Sequence, residues 1–170
     1  MKQDVLHEWL DYNPETGIFT WKKQSANCKG VGEIAGARRK TRAGHRTIIC
    51  IQGRRFYAAR AAYIYVHGDI PDTALVDHIN GDIQDDRIAN LRLASAVQNT
   101  WNRAQRQGTK YKLGVSKDAR SRFKARIQTP DGKKMNLGSW ATMDEAHAAY
   151  MGAAAMLHSE FWVGHRTNVE

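Results

Sequence analysis

Two cysteines, three prolines and no apolar run near twenty residues set the first limits on this 170-residue chain. Cys28 and Cys50 stand far apart, and neither has a second cysteine at metal-ligand spacing. A structural zinc site of the Cys/His type is therefore excluded as an expectation, and in a reducing compartment both would be free thiols. No stretch is long and apolar enough to span a bilayer, and the N-terminal MKQDVLHEW lacks the apolar core of a signal peptide. The expectation is a chain without membrane contact, located in the cytoplasm.

Acidic residues are also scarce. Against 26 Lys and Arg there are 17 Asp and Glu, a formal net charge of +9, which favours a polyanionic partner and salt-sensitive association. The distribution says more than the sum. From Lys22 to Arg60 the only acid is Glu33, and Arg103 to Lys134 is similarly basic. Between these blocks lies an acidic segment with Asp72, Asp77, Asp82, Asp85 and Asp86. An acidic centre between basic flanks suits an enzyme of nucleic acid: the flanks hold phosphates and the carboxylates hold a cation.

Taken in order, Asp4 to Leu10 reads as a short helix, Asn13 to Gly17 as a turn and Ile18 to Lys22 as a strand. Gln24 to Gly44 is polar, basic and glycine-rich, and reads as a long connection with a weak strand at Val31 to Ile34. Arg46 to Gln52 and Arg54 to Tyr57 make a hairpin turned at Gly53. Ala58 to His67 is a helix closed by Gly68, with Ala62, Tyr63 and Val66 inward.

The next stretch organises the rest. Ala74 to Val76 opens a buried strand ending in Asp77-His78, Asn80-Gly81-Asp82 is a turn, Ile88 to Leu93 is a second strand carrying Asn90, and Ala94 to Asn102 is a helix carrying Asn99. Hydrolysis of a phosphodiester needs a base for the attacking water and a hard cation for the developing charge. His78 can be the base. Asp77 and Asn99 offer oxygen ligands, which fit Mg²⁺ or Mn²⁺ better than Zn²⁺. Adjacent strand residues point to opposite faces, so Asp77 and His78 serve one site only if the strand ends or bulges there.

The strings DHINGD, NLR and QNTWN resemble the HNH nuclease motif of the ββα-metal fold, in the phage and intron-encoded homing endonuclease version whose last position is Asn. The DYNPETGIFTW string upstream resembles the same proteins. The resemblance implies His78 as general base, Asp77 and Asn99 as metal ligands, and Asn90 as the residue that holds the loop and the histidine. With one motif per chain and no obvious dimerisation face, the expectation is a monomer that nicks one strand of double-stranded DNA, in the host cell cytoplasm if the chain is phage-encoded. Many relatives carry a histidine before the arginine of the preceding helix, where this chain has Ala59 before Arg60.

The C-terminal part alternates with period two. Phe123, Ala125 and Ile127 share one face, and Arg122, Lys124, Arg126 and Gln128 the other. Pro130-Asp131-Gly132 is a turn, and Met135 and Leu137 continue the apolar face. Thr142 and Glu145 form a capping box for a helix with Met143, Ala146, Tyr150, Ala153 and Leu157 at helical spacing. GVSKD, RFKARI, NLGSW and LHSEF resemble the ethylene-response-factor (APETALA-type) DNA-binding domain, which implies a sheet that reads bases through Arg122, Lys124, Arg126, Lys134 and Asn136.

The expected fold is α+β: a ββα-metal HNH module over residues 1–102, a basic linker over 103–112, and a three-stranded antiparallel sheet packed on one helix over 113–170. Further DNA contacts are expected from Arg38, Arg39, Arg54, Arg55, Arg60, Arg103, Arg106 and Lys110. Two other functions fit the same residues. One is a DNA-binding regulator without catalysis and the other a nuclease of RNA or structured nucleic acid.

Overall fold

The computed structural model describes residues 1–24, 30–41, 44–101, 108–158 and 161. The chain forms two compact units, Met1–Ser95 and Ala96–Glu170. Its class is α+β, with small antiparallel sheets and short helices.

The N-terminal unit begins with α1 (Gln3–Trp9) and continues directly into β1 (Leu10–Asn13), which pairs with β2 (Ile18–Trp21). The Asn13 side chain closes the turn by accepting from the Glu15 and Thr16 amides. Gly17 completes it with φ +72°, a conformation glycine adopts without the steric cost of a Cβ. The segment around Ile34 lies along β2, with Trp21 N–H donating to the Glu33 carbonyl and Ala35 N–H to that of Phe19.

A three-stranded sheet follows, ordered β3 (Ala37–Thr41), β4 (Gly44–Ile51), β5 (Arg54–Tyr57). The expected two-stranded hairpin is thus extended by β3, inside the stretch read as a connection. Four of its five residues are exposed and three are cationic, so it shows no apolar alternation. Its pairing is carried by the backbone ladder with β4.

The core gathers Leu6, Leu10, Phe19, Trp21, Ile49 and Ile51 against α2 (Ala58–His67), whose alanines at 58, 59, 61 and 62 are buried with Ile64. Alanine allows close helix-to-sheet approach, and α2 packs against β4, β5 and the next strand pair. Tyr63 is half-buried, whereas Val66, expected inward, is exposed. That pair is β6 (Leu75–His78) with β7 (Leu91–Ala94), antiparallel, with Asp77 opposite Arg92 and His78 opposite Leu91. The strand expected from Ile88 is a single 3₁₀ turn, Ile88–Asn90, before β7 begins.

In the C-terminal unit, α3 (Ala96–Trp101) precedes a sheet ordered β10 (Lys134–Trp140), β9 (Phe123–Gln128), β8 (Val115–Lys117). α4 (Met143–His158) packs across it. Ala125 and Ile127 of β9 are buried against Ala146, Tyr150 and Ala154. The expected alternation holds on β9 and breaks on β10, where the register shifts between Asn136 and Gly138. Leu137 is the extra residue of that bulge. The capping box forms as expected, Thr142 N–H to Glu145 Oε2 at 3.1 Å and Glu145 N–H to Thr142 Oγ1 at 3.2 Å. Among the described residues no helix is long and apolar enough to cross a membrane.

Candidate active site

β6 ends at His78, and Asp77 and His78 leave it on opposite faces as the register requires. Each meets its own partner. Asp77 Oδ2 accepts from Arg92 Nε at 3.1 Å and Nη2 at 2.9 Å, with both side chains nearly buried. His78 Nε2 lies 3.0 Å from Asp86 Oδ1, the two side chains 4% and 7% exposed. Burying ionisable groups costs several kcal/mol unless each is paired, and here each is.

The loop between β6 and the 3₁₀ turn is tied across its neck by Asn90. Its Oδ1 accepts from Asn80 N–H at 2.8 Å and its Nδ2 donates to the Asp85 carbonyl at 2.8 Å. Its backbone carbonyl accepts from Ile79 N–H. Asp85 takes two bonds from the Arg87 guanidinium, at 2.7 and 2.6 Å, and one from Asn80 Nδ2. The Arg87 hydrogen bonds hold its carboxyl down at about 2, against the opposing effect of burial.

The first hairpin braces this loop from outside. Tyr12 Oη donates to the Asp86 carbonyl at 2.8 Å, and burial pushes that phenol up to about 12. Gly17 sits so close that a Cβ there would lie 2.6 Å from Asp86 C and Arg87 N. Only glycine fits that approach.

Residues 56–100 match the sequence model of the HNH endonuclease family. Protein 3.8 of Escherichia phage T7 is 32% identical to this chain over 91 residues, covering 51% of the chain and 75% of the phage protein. The chain belongs to that phage protein's family and carries an HNH endonuclease domain. A solved structure of the HNH homing endonuclease I-HmuI, described as binding and cleaving DNA, aligns over 82% of this chain and 76% of that one. The sequence identity is 18% and the TM-score 0.42.

Within the HNH domain, Asp77, His78 and Asn90 all belong to the β6 to β7 segment. Asn99 is half-buried on α3, in the C-terminal unit. Among the described residues no group of three or more His, Cys, Asp or Glu is arranged to hold a metal ion. Asp77 offers carboxylate oxygen, and oxygen donors suit a hard cation that keeps most of its water and takes phosphate oxygens. That donor chemistry fits a hard divalent cation, and Arg92 fixes the carboxylate through two hydrogen bonds to Oδ2.

Of the expected DNA contacts, Arg38, Arg39, Arg54, Arg55 and Lys110 are exposed. Arg122, Arg126, Lys134 and Asn136 are exposed and Lys124 is half-buried on the C-terminal sheet. Arg103 and Arg106 lie outside the described residues. The Arg60 guanidinium donates to the Ala74 carbonyl at 2.6 Å and the Pro71 carbonyl at 2.9 Å, so it clamps α2 to the approach of β6 with its side chain 24% exposed. Ala59 is buried in the core, where a histidine would need repacking.

Asp86 and Arg92 were not singled out by sequence. Arg92 had a signal: counting the antiparallel register outward from His78 and Leu91 sets it opposite Asp77. Asp86 had none beyond membership of an acidic segment.

Proposed function

We propose that the protein is a metal-dependent DNA endonuclease that nicks one strand of a specific duplex site as a monomer in the host cytoplasm. The observation that carries this reading is the end of β6, where His78 and the neighbouring Asp77, both inside the matched HNH segment, are each oriented by a buried partner. In the reaction His78 takes a proton from the attacking water. Asn90 keeps the loop neck closed behind it, and Arg92 keeps the Asp77 carboxylate in one orientation. Mg²⁺ or Mn²⁺, held by Asp77 and, on the sequence pattern, Asn99, would supply charge neutralisation at the phosphate and at the leaving oxygen.

Duplex DNA is the substrate this reading assigns. The exposed arginines of β3 to β5 would hold phosphates, and the C-terminal sheet would read base edges in the manner of the ethylene-response-factor domain it resembles. Support comes from the outer face of that sheet, where Arg120, Arg122, Lys124 and Arg126 border a shallow concavity of roughly 730 Å³. A second reading, a DNA-binding regulator without catalysis, draws on the burial of His78, which is 3% exposed.

Cleavage of supercoiled plasmid carrying phage or host target DNA decides between them. With Mg²⁺ or Mn²⁺ the chain should convert it to open circles, and with chelator it should not. Replacement His78→Ala should cost about 10²- to 10⁴-fold in rate while DNA affinity stays within a few-fold. DNA binding without any metal-dependent nicking would favour the regulator.

A further inference from the structure

We infer that the outer face of the N-terminal sheet is a binding site for an unpaired nucleotide of a single strand, whose base lies on Ile48 and Tyr57 while arginines on either side hold its phosphates. Ile49 and Ile51 of β4 turn into the core, so Arg46, Ile48 and Cys50 turn outward. The register sets the residues beside them. Ala37 and Tyr57 flank Ile48, Arg39 flanks Arg46, and Arg55 flanks Cys50. An apolar and aromatic row thus crosses all three strands between two cationic rows, each two residues, or about 7 Å, away.

Three features fit a nucleotide with its base free. The face is hollow: Ala37, Ile48 and Cys50 line a concavity of roughly 620 Å³ together with Arg39, Arg55, Trp21 and Gly36. A hollow receives a splayed base, whereas a duplex groove is filled by a ridge such as a helix or a β-ribbon. Tyr57 is 44% exposed, and the Arg46 guanidinium lies 5.3 Å from its ring centroid. An exposed ring that already carries a guanidinium is a platform on which a single strand stacks a base. The cations are also uncommitted. Arg87 and Arg92 of the same unit pair with aspartates, but among the described residues Arg39, Arg46 and Arg55 have no acidic partner.

A paired duplex keeps its bases inside the stack and offers this face phosphates, which leaves the row of Ala37, Ile48 and Tyr57 without a partner. A single strand supplies both. Cations on both sides of the apolar row hold two phosphates, which a strand carries and a free nucleoside monophosphate does not. The inference goes beyond the endonuclease reading and shares no residue with the His78 site. It rests on that reading only for one source of the strand, the end that a nick sets free.

The test uses the full chain with a fluorescent oligothymidylate of about twelve nucleotides, set beside a hairpin duplex of matched length. Tyr57→Leu removes the π face and keeps an apolar side chain, and the Tyr57 side chain makes no capping hydrogen bond on α2 that would be lost with it. This variant should weaken the single strand by roughly 5- to 100-fold and leave duplex affinity nearly unchanged. Tyr57→Phe, which keeps the ring, should bind the strand as the wild type does. Photo-cross-linking with iododeoxyuridine in the strand should mark Tyr57, competed by unlabelled oligothymidylate and not by duplex. Equal loss on strand and duplex in Tyr57→Leu, or a cross-link confined to the C-terminal unit, overturns the inference. Displacement of the strand by thymidine monophosphate at equal concentration overturns the strand in favour of a free nucleotide. Tyr57-dependent strand binding by a chain that nicks no plasmid supports the inference and overturns the endonuclease reading. Nicking without such binding does the reverse.

Discussion

Each unit contains a three-stranded antiparallel sheet with a basic outer surface, yet the two arrange their cations differently. On the C-terminal sheet every cation on a paired position faces a neutral residue: Lys134 opposite Gln128, Arg126 opposite Asn136, Lys124 opposite Ser116 and Ser139, Lys117 opposite Phe123. On the N-terminal sheet Arg39 faces Arg46. Like charges directly opposite one another destabilise a sheet. The C-terminal surface is therefore electrostatically relaxed when empty, and the N-terminal one is relieved by a polyanion. On the proposed reading the C-terminal sheet would suit selectivity among bases and the N-terminal one would hold backbone phosphates.

The largest expected effect isolates one sheet from the other. Gly114, at φ +76°, lies so close beneath the Tyr150 ring that an added Cβ would fall 2.0 Å from it. Gly114→Ala should destabilise the C-terminal unit by about 2 to 4 kcal/mol, from overpacking and left-handed strain together. Thermal unfolding with far-UV detection would register this as an early transition, and its absence would mean Tyr150 yields freely. Next is Arg126→Ala, whose loss of about 1 to 3 kcal/mol in DNA affinity should be confined to the preferred sequence if a guanine edge is read. A loss equal on all sequences would erase the contrast between the sheets. The smallest effect has the most distinctive sign. Arg39→Ala should stabilise the free protein by about 0.2 to 1 kcal/mol while weakening DNA binding uniformly and flattening its salt dependence by about one ion. Destabilisation by this variant would show that Arg39 and Arg46 are not in conflict.

The C-terminal sheet and helix were legible because their information is local. Phe123, Ala125 and Ile127 alternate, Thr142 and Glu145 cap, and the helix repeats within its own turns. The bulge at Leu137 was hidden because period-two counting assumes an unbroken register. β3 was unreadable for a similar reason: an exposed strand of Arg38, Arg39 and Lys40 carries no apolar period, and the ladder to β4 holds it. At the candidate site, Asp77, His78 and Asn90 were found through residue type and spacing. Their partners were harder to see. The contact of His78 with Asp86 spans a loop, and eight residues of separation correspond to no helical or strand repeat. The carbonyl partners of Arg60 were equally hidden, since they lie eleven and fourteen residues along the chain.

The brace that Tyr12 and Gly17 place on Asp86 bears on how far the nuclease motif can travel. Residues 56–100 carry the recognisable signature, but the backbone of the histidine's partner Asp86 is braced by a hairpin whose Tyr12 lies 74 residues upstream of it. A transplant of the signature alone into another scaffold would carry His78 and Asp86 without the hairpin that braces their loop. The segment that holds this loop in place is longer than the stretch by which the family is recognised.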